Sequence, residues 1–402
     1  MKIVFIVTSF WSYGELLIAR EFADQIADDN EILFLIPPSH RHSLGNNYKY
    51  VTLIPHSRNI NRILINEISQ KFQPELVILS DFLNYAFADR QYGIIREDLD
   101  IFRCPLATFD NFDWKLKRKR MDTYGFKSNI PKKVNVNDYG WRIIPCPLGN
   151  PDGQREDEHR FAMFNRNIST PTQSEKLKAK KRVLGTVDER PVILISNAKW
   201  QEEYVKNAKI DKFIEASNRL FDELVLKLSQ KFLIISIGEK RNSLSSCSNI
   251  TMVDSVPARV FDDYITMSDL YIGKNITSTS MIKMALSGMA CVNIINSYSS
   301  WNEDFPSIVK KECSDINGMY KFMMYPVGWY DFLYPVLENN LYKDIIQFCE
   351  LFEFDKTIKM IEKMLFIPEL QTERNYKLIA LKKKLSQLNS PKQIIESIAD
   401  RK

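Results

Sequence analysis

MKIVFIVTSFWSYGELLIAREFADQIADDNEILFLIPP (Met1–Pro38) is the stretch on which the architecture turns. Lys2–Thr8 is a continuous apolar run rich in Val and Ile, and Ser9–Gly14 is a loop. In Glu15–Ala27 the residues Leu16, Ala19, Phe22, Ala23 and Ile26 recur at helical spacing. Asp28–Asn30 ends that helix, and Glu31–Ile36 is a second apolar run before Pro37 and Pro38. A strand, a helix and a strand in this order form one βαβ unit, which requires a parallel sheet and a right-handed crossover. The apolar start ends at Ser9 with no small-residue cleavage site, so it reads as a buried strand rather than a leader or a membrane span.

Working outward, Tyr50–Ile54 is strand-like, Ile63–Lys71 helical, Leu76–Leu79 (LVIL) a strand and Pro105–Asp110 (PLATFD) another. The first 110 residues thus read as an open α/β domain. Residues 111–182 are polar and basic, with a helix expected only over Gln173–Leu184, and the inter-domain region is placed there. Alternation restarts with Pro191–Ser196 (PVILIS) and continues through Phe232–Ile237, Ile250–Val253, Leu270–Ile272 and Ala290–Ile295, with helices over Asp211–Leu228, Ala258–Met267 and Ser280–Leu286. This is a second βαβ domain, and after Tyr342 only helices are expected. The 402 residues allow two or three domains at roughly 150 residues each. With 45% hydrophobic and 26% charged residues the chain is an ordinary globular protein, not a disordered, collagenous or disulfide-scaffold one.

In open α/β sheets ligands sit beyond the carboxyl ends of the strands, so the loops there hold the candidate residues. Thr8–Glu15 leads into a helix whose free N–H groups suit an anion or a polar substrate. Gly14 stands alone there, so this is no GxGxxG dinucleotide loop. Glu15 is a candidate base, against the plainer reading of a helix-start acid, and Trp11 and Tyr13 are candidate stacking platforms for an acceptor. Asp81 and Asp110, each directly after an apolar strand, are further candidate bases, and turn capping is their plainer role. In the second domain Asn197 and Lys199 follow PVILIS, and Gly238 and Arg241 follow FLIISI. Gly273–Ser280 (GKNITSTS) joins a strand to a helix, and its consecutive Thr277, Ser278, Thr279 and Ser280 exceed what one N-cap needs. With Asn275 they form a candidate phosphate cradle of hydroxyls, backbone N–H groups and helix dipole.

Ser268–Gly273 (SDLYIG), the Thr/Ser turn, and Met281–Leu286 followed by Ser287-Gly288-Met289-Ala290-Cys291-Val292 resemble the nucleotide-sugar motif of GT-B glycosyltransferases, roughly aDl.i..gg..t..Ea...G.P.v. Lys180–Ser196 resembles that family's entry into its C-terminal domain, and Met1–Pro38 its first βαβ unit. The resemblance implies an α/β chain of two Rossmann-like domains facing each other across a cleft, with C-terminal helices. Residues 1–165 would bind the acceptor, 166–340 the nucleotide sugar, and 341–402 would form a helical tail packing across both. It further implies transfer of a sugar from a nucleotide diphosphate to an acceptor, with no cofactor and no metal, the leaving diphosphate being gripped by Lys199, Arg241, Lys274, Lys283 and the Thr/Ser turn. Where many members carry a ribose-binding Glu, five residues before the glycine, this chain has Lys283, which cannot accept from hydroxyls but can meet a phosphate. The expected proline is Ala290, and the first loop holds no His, so a carboxylate must serve as base and inversion is the expected course. Trp329, in the aromatic stretch Tyr325–Tyr342, is a candidate acceptor platform, against simple packing.

Other readings bear on function. A sugar-nucleotide epimerase or hydrolase would use the same acids and diphosphate grip, and a catalytically silent GT-B-like binding protein would fit the missing Glu and His. The excess of 55 Lys+Arg over 50 Asp+Glu gives only +5, and Lys115–Arg120 (KLKRKR) is the one dense basic cluster. Without any nucleic-acid-binding signature it reads as a solvated face or a contact with an anionic surface. Six dispersed cysteines with no CxxC read as reduced thiols of a cytoplasmic chain.

Overall fold

The computed structural model describes residues 1–9, 13–44, 47–113, 134–153, 155–164, 170–185, 188–198, 200–201, 210–238, 241–254, 256 and 258–400. Two parallel sheets organise it. In the first, β1 (Lys2–Ile6), β2 (Glu31–Ile36), β3 (Lys49–Thr52), β4 (Leu76–Leu79), β5 (Leu106–Phe109), β6 (Trp141–Cys146) and β7 (Glu158–Ala162) lie in the order 3-2-1-4-5-6-7. In the second, β8 (Val192–Ser196), β9 (Leu233–Ile237), β10 (Ile250–Val253), β11 (Leu270–Gly273), β12 (Ala290–Ile295) and β13 (Ile346–Glu350) lie in the order 10-9-8-11-12-13. Every strand pairing is parallel, and both sheets share the doubly wound order that reverses beside their first strand.

The apolar runs become buried central strands because helices cover both faces of a parallel sheet. Ile3, Val4, Phe5, Leu76, Val77, Ile78 and Leu79 are wholly buried in the first sheet, as are Val192, Ile193, Leu194, Leu270 and Ile272 in the second. The Gly14–Ala23 helix buries Leu16, Ile18, Ala19, Phe22 and Ala23 on the first sheet's side, with the Phe22 ring edge-on to Phe5, Phe109 and Phe161.

Two expectations change. Residues 111–182 do not interrupt the first domain: they contain β6 and β7, whose register pairs Arg142 with Glu158. These strands read as polar because their charged side chains neutralise one another inside the protein rather than facing water. The chain divides after them, with the described residues up to 164 in one compact unit and those from 170 to 382 in the other. The region after 341 is not a separate helical tail. After a short helix at Leu341–Asp344 it supplies β13 at the edge of the second sheet, and only 383–400, including the Pro391–Asp400 helix, return to the first unit. A short edge strand with the half-exposed Gln347 and Glu350 lacks the apolar run that marked its neighbours. No described helix is long and apolar enough to cross a membrane.

Candidate functional site

At the reversal point of the first sheet, the chain leaving β1 and the chain leaving β4 bring Glu15 and Asp81 together. Asp81 caps the Phe82–Ala86 helix: its Oδ1 accepts from the Asn84 backbone N–H at 2.8 Å. Its Oδ2 accepts from Asn111 Nδ2 at 2.9 Å. The Asn84 side chain in turn donates to Glu15 Oε1 at 3.3 Å. One asparagine therefore links the two carboxyl groups, its backbone to Asp81 and its amide to Glu15. Asp81 is 4% exposed, and burial, then the charges of Glu15 and Asp110, push its carboxyl up to about 8. Ser80 Oγ and Asn111 Oδ1 are buried here with no hydrogen-bond partner among the described residues.

Asp110 has a different fate from the one its position suggests. Its Oδ2 accepts two bonds from Arg142, from Nε at 3.1 Å and Nη2 at 2.6 Å. Arg142 also reaches Asp113 at 3.0 Å and Glu158 at 2.8 Å, and Arg160 binds Asp113 at 2.9 Å and Glu158 at 2.7 Å. All five side chains are no more than 4% exposed. A carboxylate held by a buried guanidinium is a poor proton acceptor, so Asp110 belongs to this structural network rather than to a base. Tyr13 stands 41% exposed, its ring 4.7 Å from that of His40 and its hydroxyl donating to the Ser39 carbonyl at 3.3 Å. Trp11 lies outside the described residues.

In the second unit the reversal point lies between β8 and β11. Gly238, with φ of +116°, lies against the Asn197 backbone, where a Cβ would meet the carbonyl oxygen at 2.5 Å. Asn197 Oδ1 is buried with no partner among the described residues. After β11, Asn275 Oδ1 accepts from the Thr277 N–H at 2.9 Å and its hydroxyl at 2.8 Å, which bends the chain into the Thr279–Leu286 helix. Ser278 occupies the N-cap without a side-chain capping bond. Ser278 thus leaves the N–H groups of the first helical turn without a side-chain cap, the arrangement that a phosphate cradle at a helix start requires.

Beside this turn, Lys274 is 5% exposed with its ammonium 4.7 Å from the centre of the Phe221 ring and 4.4 Å from that of Tyr325. The segment carrying Tyr325 folds back over the turn: the Tyr325 N–H donates to the Lys274 carbonyl at 2.8 Å, and Thr277 Oγ1 lies 3.3 Å from Met324 Sδ. Arg241 and Lys283, expected on the diphosphate, are ion-paired elsewhere. Arg241 holds Asp222, and the partly exposed Lys283 reaches Asp262 at 2.6 Å. Trp329 is buried, edge-on to Phe332 at 5.4 Å, so it packs within the second unit instead of presenting a face. Lys199 and the Lys115–Arg120 cluster lie outside the described residues. Among those described, no cluster of His, Cys, Asp and Glu could hold a metal.

Sequence reasoning missed Asn84 and Asn111. Asn84 had a signal, since an asparagine three residues after a strand-end Asp lies in the first turn that Asp caps. Asn111 had none, because its contact with Asp81 depends on β4 and β5 being neighbours.

The chain belongs to the DUF6365 family, described as a family of unknown function, whose pattern matches residues 22–402. No protein with a curated description matches it. Solved structures with a similar fold include spinosyn forosaminyltransferase SpnP, 12% identical with a TM-score of 0.55, the alignment covering 100% of this chain and 99% of that one. Anabaena Alr3699/HepE, in complex with UDP and glucose, is 12% identical with a TM-score of 0.57 over 100% and 99% of the two chains. The glycosyltransferase VinC, in complex with dTDP, is 11% identical with a TM-score of 0.51 over the whole of both. The fold is that of GT-B glycosyltransferases, carried by a divergent sequence.

Proposed function

We propose that this protein is a glycosyltransferase that moves a sugar from a nucleoside diphosphate to an acceptor hydroxyl, without a cofactor. The observation that carries the reading is the uncapped first turn of the Thr279–Leu286 helix, set at the carboxyl end of β11 beside the point where strand order reverses. The diphosphate would lie on the N–H groups of that turn, with the hydroxyl of Ser280 and Asn197 Oδ1, which has no partner among the described residues, as further polar contacts for the donor. In the first unit Glu15, held by Asn84, would take the proton from the acceptor hydroxyl, with Tyr13 as the exposed ring against which an acceptor could stack. The acceptor oxygen bonds to the anomeric carbon while the bond from that carbon to the phosphate oxygen breaks, and the diphosphate leaves with the electron pair. A carboxylate base acting directly on the acceptor favours inversion.

The test uses the full chain with UDP, dTDP, GDP and CMP in a thermal-shift assay. One nucleoside diphosphate should raise the melting temperature, since a ligand that binds only the native state stabilises it. Nucleotide-sugar turnover with and without an acceptor panel then separates transfer from hydrolysis. No shift with any of the four rejects the donor site.

A further inference from the structure

The buried carboxylates of the first unit are not treated alike. Asp110, Asp113 and Glu158 each touch at least one guanidinium, that of Arg142 or Arg160. Asp81 is just as buried, and no cation touches it among the described residues. Its two oxygens meet a backbone N–H and a side-chain amide, both neutral donors. Among the described residues, the charged groups that bear on it are Glu15 from the Gly14–Ala23 helix and Asp110 from the end of β5, and the cation beside Asp110, Arg142 from β6, is shared with Asp113 and Glu158. An ionised Asp81 would thus be an uncompensated buried charge beside a second carboxylate, an arrangement that proteins relieve by protonating one partner.

We propose that Asp81 is a positioning residue that works in its uncharged form, the acid member of a carboxylic acid–carboxylate pair whose anionic member is Glu15. The inference rests on Glu15 being the base of the proposed transfer. Asp81 sets the first turn of the Phe82–Ala86 helix, that turn places the Asn84 amide, and the amide holds Glu15 Oε1. Because Asp81 carries no charge, it fixes Glu15 without setting a second negative charge beside it and without acting as a rival base. Asn111 fits the same state: turned about its amide axis, its Oδ1, which otherwise has no partner among the described residues, accepts from the Asp81 O–H. Above a pH of about 8 the second proton leaves and two like charges share the site.

The decisive measurement needs no substrate. Urea unfolding of the wild-type chain and of Asp81→Asn, which keeps the helix cap, is followed across the pH range. A folded carboxyl titrating far above its unfolded counterpart contributes stability that is complete below about pH 4 and is lost as pH rises towards about 8. The wild-type midpoint should therefore fall relative to Asp81→Asn through that window and run parallel to it above. In Glu15→Gln the upper end of the window should move to lower pH, a change that a merely structural cap would not show. Infrared difference spectra near neutral pH, wild type against Asp81→Asn, should show one protonated carboxyl in the wild type, and titrating that band in the wild type alone covers the case of a variant that fails to fold. A midpoint difference independent of pH, a missing band, or a window unmoved by Glu15→Gln overturns the proposal. If the window appears but no nucleotide binds, the transferase reading falls and the acid–carboxylate pair stands.

Discussion

In the first unit the carboxyl ends of β4 and β5 carry Asp81, Asp110 and Asp113, and β6 and β7 bring Arg142, Glu158 and Arg160 to the last two of these. In the second, the carboxyl ends of β8 and β11 carry Asn197, Lys274 and Asn275, and the main polar resources are backbone N–H groups and hydroxyls. The first site is built from charges that meet only through the sheet's register. The second is built from a continuous turn. A site of the first kind has its stability and chemistry tied together, because removing one charge strands another. A site of the second kind can lose a side chain and keep its N–H groups.

The largest expected effect tests that contrast at Arg142. Arg142→Met leaves Asp110 Oδ2 without its two guanidinium donors and weakens the hold on Asp113 and Glu158, so it should cost about 3–5 kcal/mol, read from urea unfolding at neutral pH. A loss under about 1 kcal/mol would mean that the network does not hold the first unit together. Next is Gly238→Ala, where the left-handed φ and the nearby Asn197 carbonyl should cost about 1–3 kcal/mol and weaken nucleotide binding as well. Ser278→Asp should separate stability from binding: a better cap adds about 0.5–1 kcal/mol, while its negative charge at the cradle abolishes the nucleotide-induced thermal shift. Retention of the shift would move the phosphate away from this turn. Smallest is Lys283→Ala, which removes a partly exposed pair with Asp262 and should change stability by no more than about 0.5 kcal/mol, leaving the nucleotide shift intact.

How much of this was legible follows from the same contrast. The strands β1, β2, β4, β8, β9, β11 and β12 announced themselves as apolar runs because both faces of a parallel sheet are covered. The Asn275–Ser280 turn was legible because its parts are consecutive. Strands β6 and β7 were not, since a strand whose Arg142, Glu158 and Arg160 point inward has the same local pattern as a solvated loop. Only the pairing of Arg142 opposite Glu158 tells the two apart. Asp81 was visible as a strand-end acid, but its lack of a cation is a property of its neighbours. Lys283 and Arg241 looked like phosphate ligands from their positions in the chain, and their actual partners, Asp262 and Asp222, lie on helices the linear motif does not include.

The return of residues 383–400 to the first unit also sets a timetable for biogenesis. Ile394, Ile395 and Ile398 of the Pro391–Asp400 helix are buried, and Lys392 pairs with Asp29 at 2.7 Å. When β7 has left the ribosome, these partners of the first unit are still roughly 230 residues from being made, which at ~5–20 residues per second is a wait on the order of 10–50 s. For that interval the nascent first half must keep an apolar surface uncovered while an entire second half is synthesised and folds. Its demand for chaperones during translation should therefore be set by the length of the intervening unit, and moving the Pro391–Asp400 segment closer in sequence by circular permutation should shorten it.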